Sequence, residues 1–496
     1  MQRLKVVTIA AVVFCSGCNI APKYQRPVAF APAVFPASFK ELAGNDEWKA
    51  ANPADGQIRG KWWEVFADPK LNELEEMVTI SNQNIKVVES QFLAARALVD
   101  LQHSGYFPSI GTNPVTSETQ VGNAGRGTRG ATFNFPISVA WEADVWGRIH
   151  TAIEGSVDSA QIVAANLENL RLSTQAAVAA NYFTLASLDM QYSLLGDSIT
   201  AYKRYLELTV NRFNGGVASR SDVALAQTQL STTTAQQTDL GATRSLFEHA
   251  IAVLTGQAPA NLTLPPATIA APPPPVPSVL PSQLLERRPD IAAAERAVAV
   301  QNANIGLAKI AFYPTIGLSA SAGLSANTIA NLFTGPARIW SAGPTFSETL
   351  FDFGRRGAIV QQVEANYNAS VAAYRQTVLN AFQDVEDNLS TLRILSQEAI
   401  EQRQAVTSAE ESLALVTERY KAGTNSYLDV ITTQTITLNN ERTAVTILQR
   451  RMTAAVNLIK AVGGGWDNSL LPTYDQMRTA AMADPKNVHT VAQPAN

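Results

Sequence analysis

Cysteine is nearly missing from this chain of 496 residues: only Cys15 and Cys18 occur, both close to the start. Beyond position 18 the protein therefore has no disulfide and no cysteine-based metal site. The four histidines, His103, His150, His249 and His489, are scattered and lack the spacing of metal ligands. An excess of positive charge is absent too. Lys and Arg number 38 against 42 Asp and Glu, a formal net charge of −4, which leaves no footprint for nucleic acid. After the N-terminal stretch no run reaches the ~18 apolar residues of a membrane-spanning helix. Gly122 to Gly130 is glycine-rich but lacks the Gly-Lys-Ser/Thr ending of a phosphate loop, and no serine or cysteine sits in a nucleophile elbow. The expectation is a protein that is not an enzyme and needs no cofactor.

Proline is missing from two long stretches, Ile137 to Ala258 and Thr345 to Leu471. Proline breaks helix interiors, so these gaps permit very long helices. Within them, Gly147 to Arg212, Asp222 to Leu254, Gly354 to Arg419 and Leu428 to Val462 are rich in Ala, Leu, Gln and Glu at helical spacing. A helix of about 65 residues extends roughly 100 Å. These are rods arranged as two helical hairpins, 147–255 and 354–462.

The rods belong to a duplication. Arg212-Phe213-Asn214-Gly215-Gly216-Val217-Ala218-Ser219-Arg220-Ser221-Asp222-Val223 matches Arg419-Tyr420-Lys421-Ala422-Gly423-Thr424-Asn425-Ser426-Tyr427-Leu428-Asp429-Val430. The offset is constant, since 419 − 212 and 429 − 222 both equal 207. Gly215, Gly216 and Gly423 suit the left-handed residue that ends a helix. Ser219 with Asp222, and Ser426 with Asp429, fit capping boxes opening the next helix. Arg212 and Arg419 complement the dipole of a last turn. Capping alone explains Ser, Asp and Gly. It does not require aromatic Phe213, Tyr420 and Tyr427, which read as exposed and as part of a docking surface.

Short alternating segments precede each rod. Phe133, Phe135, Ile137, Val139 and Trp141 alternate with small or polar residues; so do Ile316, Leu318, Ala320, Ala322 and Leu324, and Trp340, Ala342, Phe346 and Leu350. Strands are expected near 109–118, 132–142, 314–324 and 339–350, each about ten residues, the length of an outer-membrane barrel strand. Glu348 falls on the apolar register, a conflict relieved if the strand leaves the membrane near Ser347. Open strand edges are not tolerated in lipid, and the smallest membrane barrels have about eight strands. Four strands therefore demand oligomerisation: a dimer would supply eight, a trimer twelve.

The ends and joints complete the division. Arg3 and Lys5, then apolar Val6 to Phe14, then Cys15-Ser16-Gly17-Cys18 read as a secretory signal, residues 1–17, cleaved before a lipid-modified Cys18. Loss of Arg3 and Lys5 takes the net charge from −4 to −6. An extended segment, 18–60, leads to a first repeat, 61–257. A Pro-rich connector, 258–283, precedes a second repeat, 284–462, and a mobile tail, 463–496.

These residues resemble the TolC-type outer-membrane efflux factors, in their lipoprotein, NodT-like branch. Trp62-Trp63-Glu64-Val65-Phe66-Ala67-Asp68-Pro69-Lys70-Leu71 looks like the family's opening motif. Leu285-Glu286-Arg287-Arg288-Pro289-Asp290-Ile291, Ala311-Phe312-Tyr313-Pro314, and the strand-to-rod junctions Asp144-Val145-Trp146-Gly147-Arg148 and Leu350-Phe351-Asp352-Phe353-Gly354-Arg355 are similar as well. The resemblance implies a homotrimer: a twelve-stranded barrel continuing into a periplasmic α-helical barrel, each protomer a duplicated strand-strand-helix-helix unit. It implies passive conduction of exported compounds from an inner-membrane efflux pump through a periplasmic adaptor, with diacylglycerol and an acyl chain on Cys18 anchoring it in outer-membrane lipid. Both tip motifs, including Val217, Val223, Leu428 and Val430, would contact the adaptor and close the aperture. One departure stands out. Related factors carry an acidic and a basic residue just after the second tip, where Thr432 and Thr435 stand here, so a charge-based gate at that spot is doubtful. The rival reading is a lipid-anchored periplasmic coiled-coil scaffold or adhesin, which would explain the rods but not the alternating segments.

Overall fold

A computed structural model describes residues 20–28, 60–121, 128–274 and 287–477. The expected signal sequence at 1–17, Cys18, part of the Pro-rich connector and the last 19 residues lie outside the described residues.

Seven helices occur among the described residues: α1 (Pro69–Ser81), α2 (Gln83–Ser104), α3 (Arg148–Asn214), α4 (Arg220–Leu254), α5 (Pro289–Ile310), α6 (Arg355–Lys421) and α7 (Tyr427–Ala461). Helices α3 and α6 have 67 residues each, and α4 and α7 have 35 each. Their starts differ by the same 207 positions, 355 − 148 and 427 − 220, so the duplication is preserved to the residue.

Each rod starts where an aspartate receives its first amides. Ile149 and His150 donate to the Asp144 carboxylate at 2.9 Å. Gly354 and Arg356 donate to Asp352 at 3.1 Å. Free amides and the positive end of the helix dipole favour an anion there. The preceding chain turns through left-handed Gly147 and, in the second copy, through Phe353 and Gly354.

The strands are β1 (Ser109–Thr112), β2 (Val115–Val121), β3 (Thr128–Ala143), β4 (Thr315–Ala326) and β5 (Arg338–Ser347). All pair antiparallel, β3 with β4, β4 with β5, and both β1 and β2 with the same edge of β3. Ser109 pairs Ala140 and Val115 pairs Asn134, so β1 and β2 keep one register with no residue inserted. The ladder lapses only where Asn113-Pro114 meets Phe135-Pro136, because proline has no amide to donate. The strand expected near 109–118 is thus one strand position, longer than anticipated and broken once. The last strand ends at Ser347, so Glu348 and Leu350 are outside it. Four strand positions attached to the rods set aside the coiled-coil scaffold.

Directly paired residues share a sheet face. One face carries Ile110, Phe135, Ile137, Trp141, Leu318, Trp340 and Phe346, all exposed. The opposite face presents Ser109, Asn134, Ser138, Ser319, Ser321, Ser341 and Thr345, with Val115 and Ile339 among its apolar exceptions. A soluble sheet buries its apolar face; this one leaves it exposed, as a barrel wall meant for lipid does.

The core lies instead at the waist, away from the sheet. Trp62, Trp63, Phe66, Leu71, Leu74 and Val78 pack against Tyr182 and Phe183 of α3, Tyr374 and Val385 of α6, and Val456 and Ile459 of α7. The tail expected to be mobile from 463 is packed as far as 477. Gly463, Gly464 and Gly465 have positive φ, and Trp466 and Met477 are buried. A Cβ on Gly463 would lie 2.0 Å from the Arg287 carbonyl oxygen, so the chain needs glycine to pass there.

Candidate functional site

The two tip motifs fold as read, with three exceptions. Ser219 accepts the Asp222 amide and Asp222 accepts the Ser219 amide; Ser426 and Asp429 do the same. Gly216 and Gly423 are left-handed at φ 75° and 80°. Gly215 is not: at φ −81° it simply terminates α3. Tyr420 and Tyr427 are not exposed either, at 4% and 3%. Their rings pack 5.5 Å apart in a cluster with Ala226 and Val430. Phe213, Val217 and Leu428 do face solvent.

The tyrosines are buried because α3 covers them. The Arg212 guanidinium lies 4.6 Å from the centroid of the Tyr420 ring and donates to the Tyr420 carbonyl at 2.9 Å. Thr209 Oγ1 lies 3.4 Å from the Tyr420 hydroxyl, and Tyr205 Oη lies 3.3 Å from Thr417 Oγ1. Positions 205, 209 and 212 share one helix face, so α3 presents a polar stripe to the end of α6. Burial pushes the Tyr427 phenol up. The first hairpin thus holds the turn of the second. Sequence reading identified Arg212 and Tyr420 separately but missed Tyr205, Thr209 and Thr417; their three- and four-residue spacing was the available signal.

Val223 is half-buried, while Arg419 is exposed and has no side-chain partner among the described residues. Thr432 is exposed, and Thr435 accepts from Gln229 at 3.4 Å. Nothing at either position is charged.

At the waist two carboxyls are abnormal. Glu75 is fully buried with neither oxygen hydrogen-bonded among the described residues, and burial pushes it up to about 9. Burial also raises Asp158 to about 6, against the opposing pull of Arg296. Above them, residues 20–28 run as a strap. Tyr24 Oη donates to Glu295 at 2.6 Å, and Asn302 donates to the Pro22 carbonyl at 2.8 Å. No group of metal-ligating side chains occurs among the described residues, and no described helix is long and apolar enough to cross a membrane.

The sequence and the fold both have counterparts among known proteins. The profile described as "Outer membrane efflux protein" matches residues 76–257 and 280–464. The probable efflux pump outer membrane protein TtgC of Pseudomonas putida is 28% identical over 473 residues, covering 93% of this chain and 96% of the relative. The outer-membrane channel OprN superposes with a TM-score of 0.82 at 27% identity, over 90% of this chain and all of the other. The CmeC outer membrane channel of Campylobacter jejuni shares the fold, with a TM-score of 0.84 at 20% identity, over 93% and 98% of the two chains. Matched by that profile over most of its length, the chain belongs to the outer membrane efflux protein family.

Proposed function

We propose that three copies of this chain close into one conduit, a twelve-stranded barrel leading into a tunnel of six helical hairpins. It passes small organic compounds outward without chemical change. The observation that carries this is the sheet: four strand positions, apolar outside, with two unpaired edges that lipid does not tolerate. The free edge of β5 in one copy meets the free edge of β1 and β2 in the next, and three such joints leave no edge. Relatives named for antibiotic and for toluene efflux support a cargo of that class.

The tips are the periplasmic mouth. A periplasmic adaptor docks on Phe213, Val217, Leu428 and the turn glycines, and links the conduit to an inner-membrane efflux pump. Cys18, carrying diacylglycerol and an acyl chain, adds an anchor in outer-membrane lipid. The strap supports this, because it is held against α5 from Pro22, only four residues beyond Cys18. Planar-bilayer recording tests the reading: the purified protein should form pores, and no pore at any protein concentration would refute it.

A further inference from the structure

Within one chain, the repeat-one hairpin locks onto the tip of repeat two through Arg212 and Tyr420, while Arg419 at that tip has no side-chain partner among the described residues. If three copies form the tunnel, six near-equivalent hairpins surround it, and the contact from repeat one to repeat two must be followed by one from repeat two to repeat one of the next copy. Because the duplication is exact in register, that second contact can be written residue by residue. Adding 207 to Arg212 gives Arg419, and subtracting 207 from Tyr420 gives Phe213.

We propose that Arg419 of each copy lies over Phe213 of the neighbouring copy and donates to its backbone carbonyl, forming a second and weaker seam at the mouth. The proposal rests on the trimer reading above. Three observations carry it. Arg419 stands in the last turn of α6 as Arg212 does in α3, is exposed, and has no side-chain partner among the described residues. Phe213 is 36% exposed, whereas its repeat-two counterpart Tyr420 is only 4% exposed beneath an arginine. A Cβ on Gly423 would have the Arg212 guanidinium 3.9 Å away, while around its counterpart Gly216 there is nothing within 4 Å.

The seams differ in chemistry. Tyr420 offers a hydroxyl to Thr209, and Tyr205 meets Thr417. Their counterparts at the second seam are Phe213 with Val416, and Ser412 with Val210, which form no such hydroxyl pairs. Tyr427, whose ring packs tilted against Tyr420, is replaced by Arg220. By the same correspondence the Arg220 guanidinium stands on the Phe213 side of the seam and repels the incoming Arg419, with Asp222 of the capping box as an opposing charge. The mouth therefore parts between copies before it parts within one.

Cysteines placed together at Phe213 and Arg419 of the full-length protein, treated in outer membranes with a short bismaleimide, provide the test. Covalent dimers and trimers are expected. Cysteines at Arg212 and Tyr420 should cross-link only within a chain and leave its mass unchanged. If native mass shows three chains but the 213/419 pair yields no intermolecular product, the seam is wrong and the trimer stands. A native mass of one chain removes the trimer and the seam with it. Should the double variant not assemble, Arg419→Gln serves: closed-state conductance should rise roughly three- to tenfold, with Arg419→Lys in between. No rise with Gln overturns the proposal.

Discussion

Arg212 and Tyr420 sit on different hairpins and 208 residues apart, yet the guanidinium both covers the ring at 4.6 Å and donates to the same residue's carbonyl at 2.9 Å. This double contact makes the tip a latch as well as a turn. A partly desolvated cation–π contact plus a charged hydrogen bond contributes about 1–3 kcal/mol. Replacing Arg212 with Gln should raise the conductance of the reconstituted channel and sensitise cells to bulky periplasm-excluded drugs. Unchanged conductance would show that the mouth is held elsewhere.

The turn glycines give a sharper contrast. Gly423 and Gly216 are left-handed, where a β-branched residue costs about 1–2 kcal/mol in strain alone. Gly423→Val or Gly216→Val should impair export while the oligomer survives detergent extraction. Gly215→Ala should be silent, since its φ is ordinary and an added Cβ would meet only normal contacts at 3.5 Å and beyond. Drug-susceptibility assays on the three variants separate tip geometry from glycine content.

Adjacent residues of β4 face opposite environments, and Leu318 shares the outward face with Trp141. Leu318→Lys should destabilise the assembled barrel by about 2–4 kcal/mol if it sits near the bilayer midplane, and Ser319→Lys should be tolerated. The heat needed to dissociate the oligomer on gels measures the difference. Equal effects would mean the apolar face is not in lipid.

Glu75 predicts a pH dependence with a definite sign. Its folded-state value, raised to about 9, lies above the ordinary 4.5, so the native state holds a proton that the unfolded chain releases. The group is neutral to stability below about pH 4.5, and its penalty grows as pH rises towards 9, reaching a few kcal/mol. Glu75→Gln should therefore raise Tm, more at pH 8 than at pH 5. A gain that does not vary with pH would indicate that Glu75 ionises freely.

Much of this was visible in the chain before its fold was known. The rods, the constant 207-residue offset and both capping boxes are local features, set by proline gaps, helical spacing and Ser/Asp at fixed separation. The apolar face of the sheet also followed from alternation. What failed depended on contacts between distant segments. Tyr420 and Tyr427 looked exposed because nothing in their own hairpin covers them; α3 does. The tail after 463 looked mobile because it is polar, yet Trp466 and Met477 find buried sites against helices far away in sequence. Gly215 was misread because two adjacent glycines cannot show which one takes the positive φ.

Whether one chain supplies a third of a closed wall is decided most directly by native mass spectrometry of the protein extracted from outer membranes in mild detergent. Three chains per particle, with no stable smaller species, is the result expected from a sheet with two open edges. A stable single chain, its strand edges unpaired in detergent, would contradict the conduit outright.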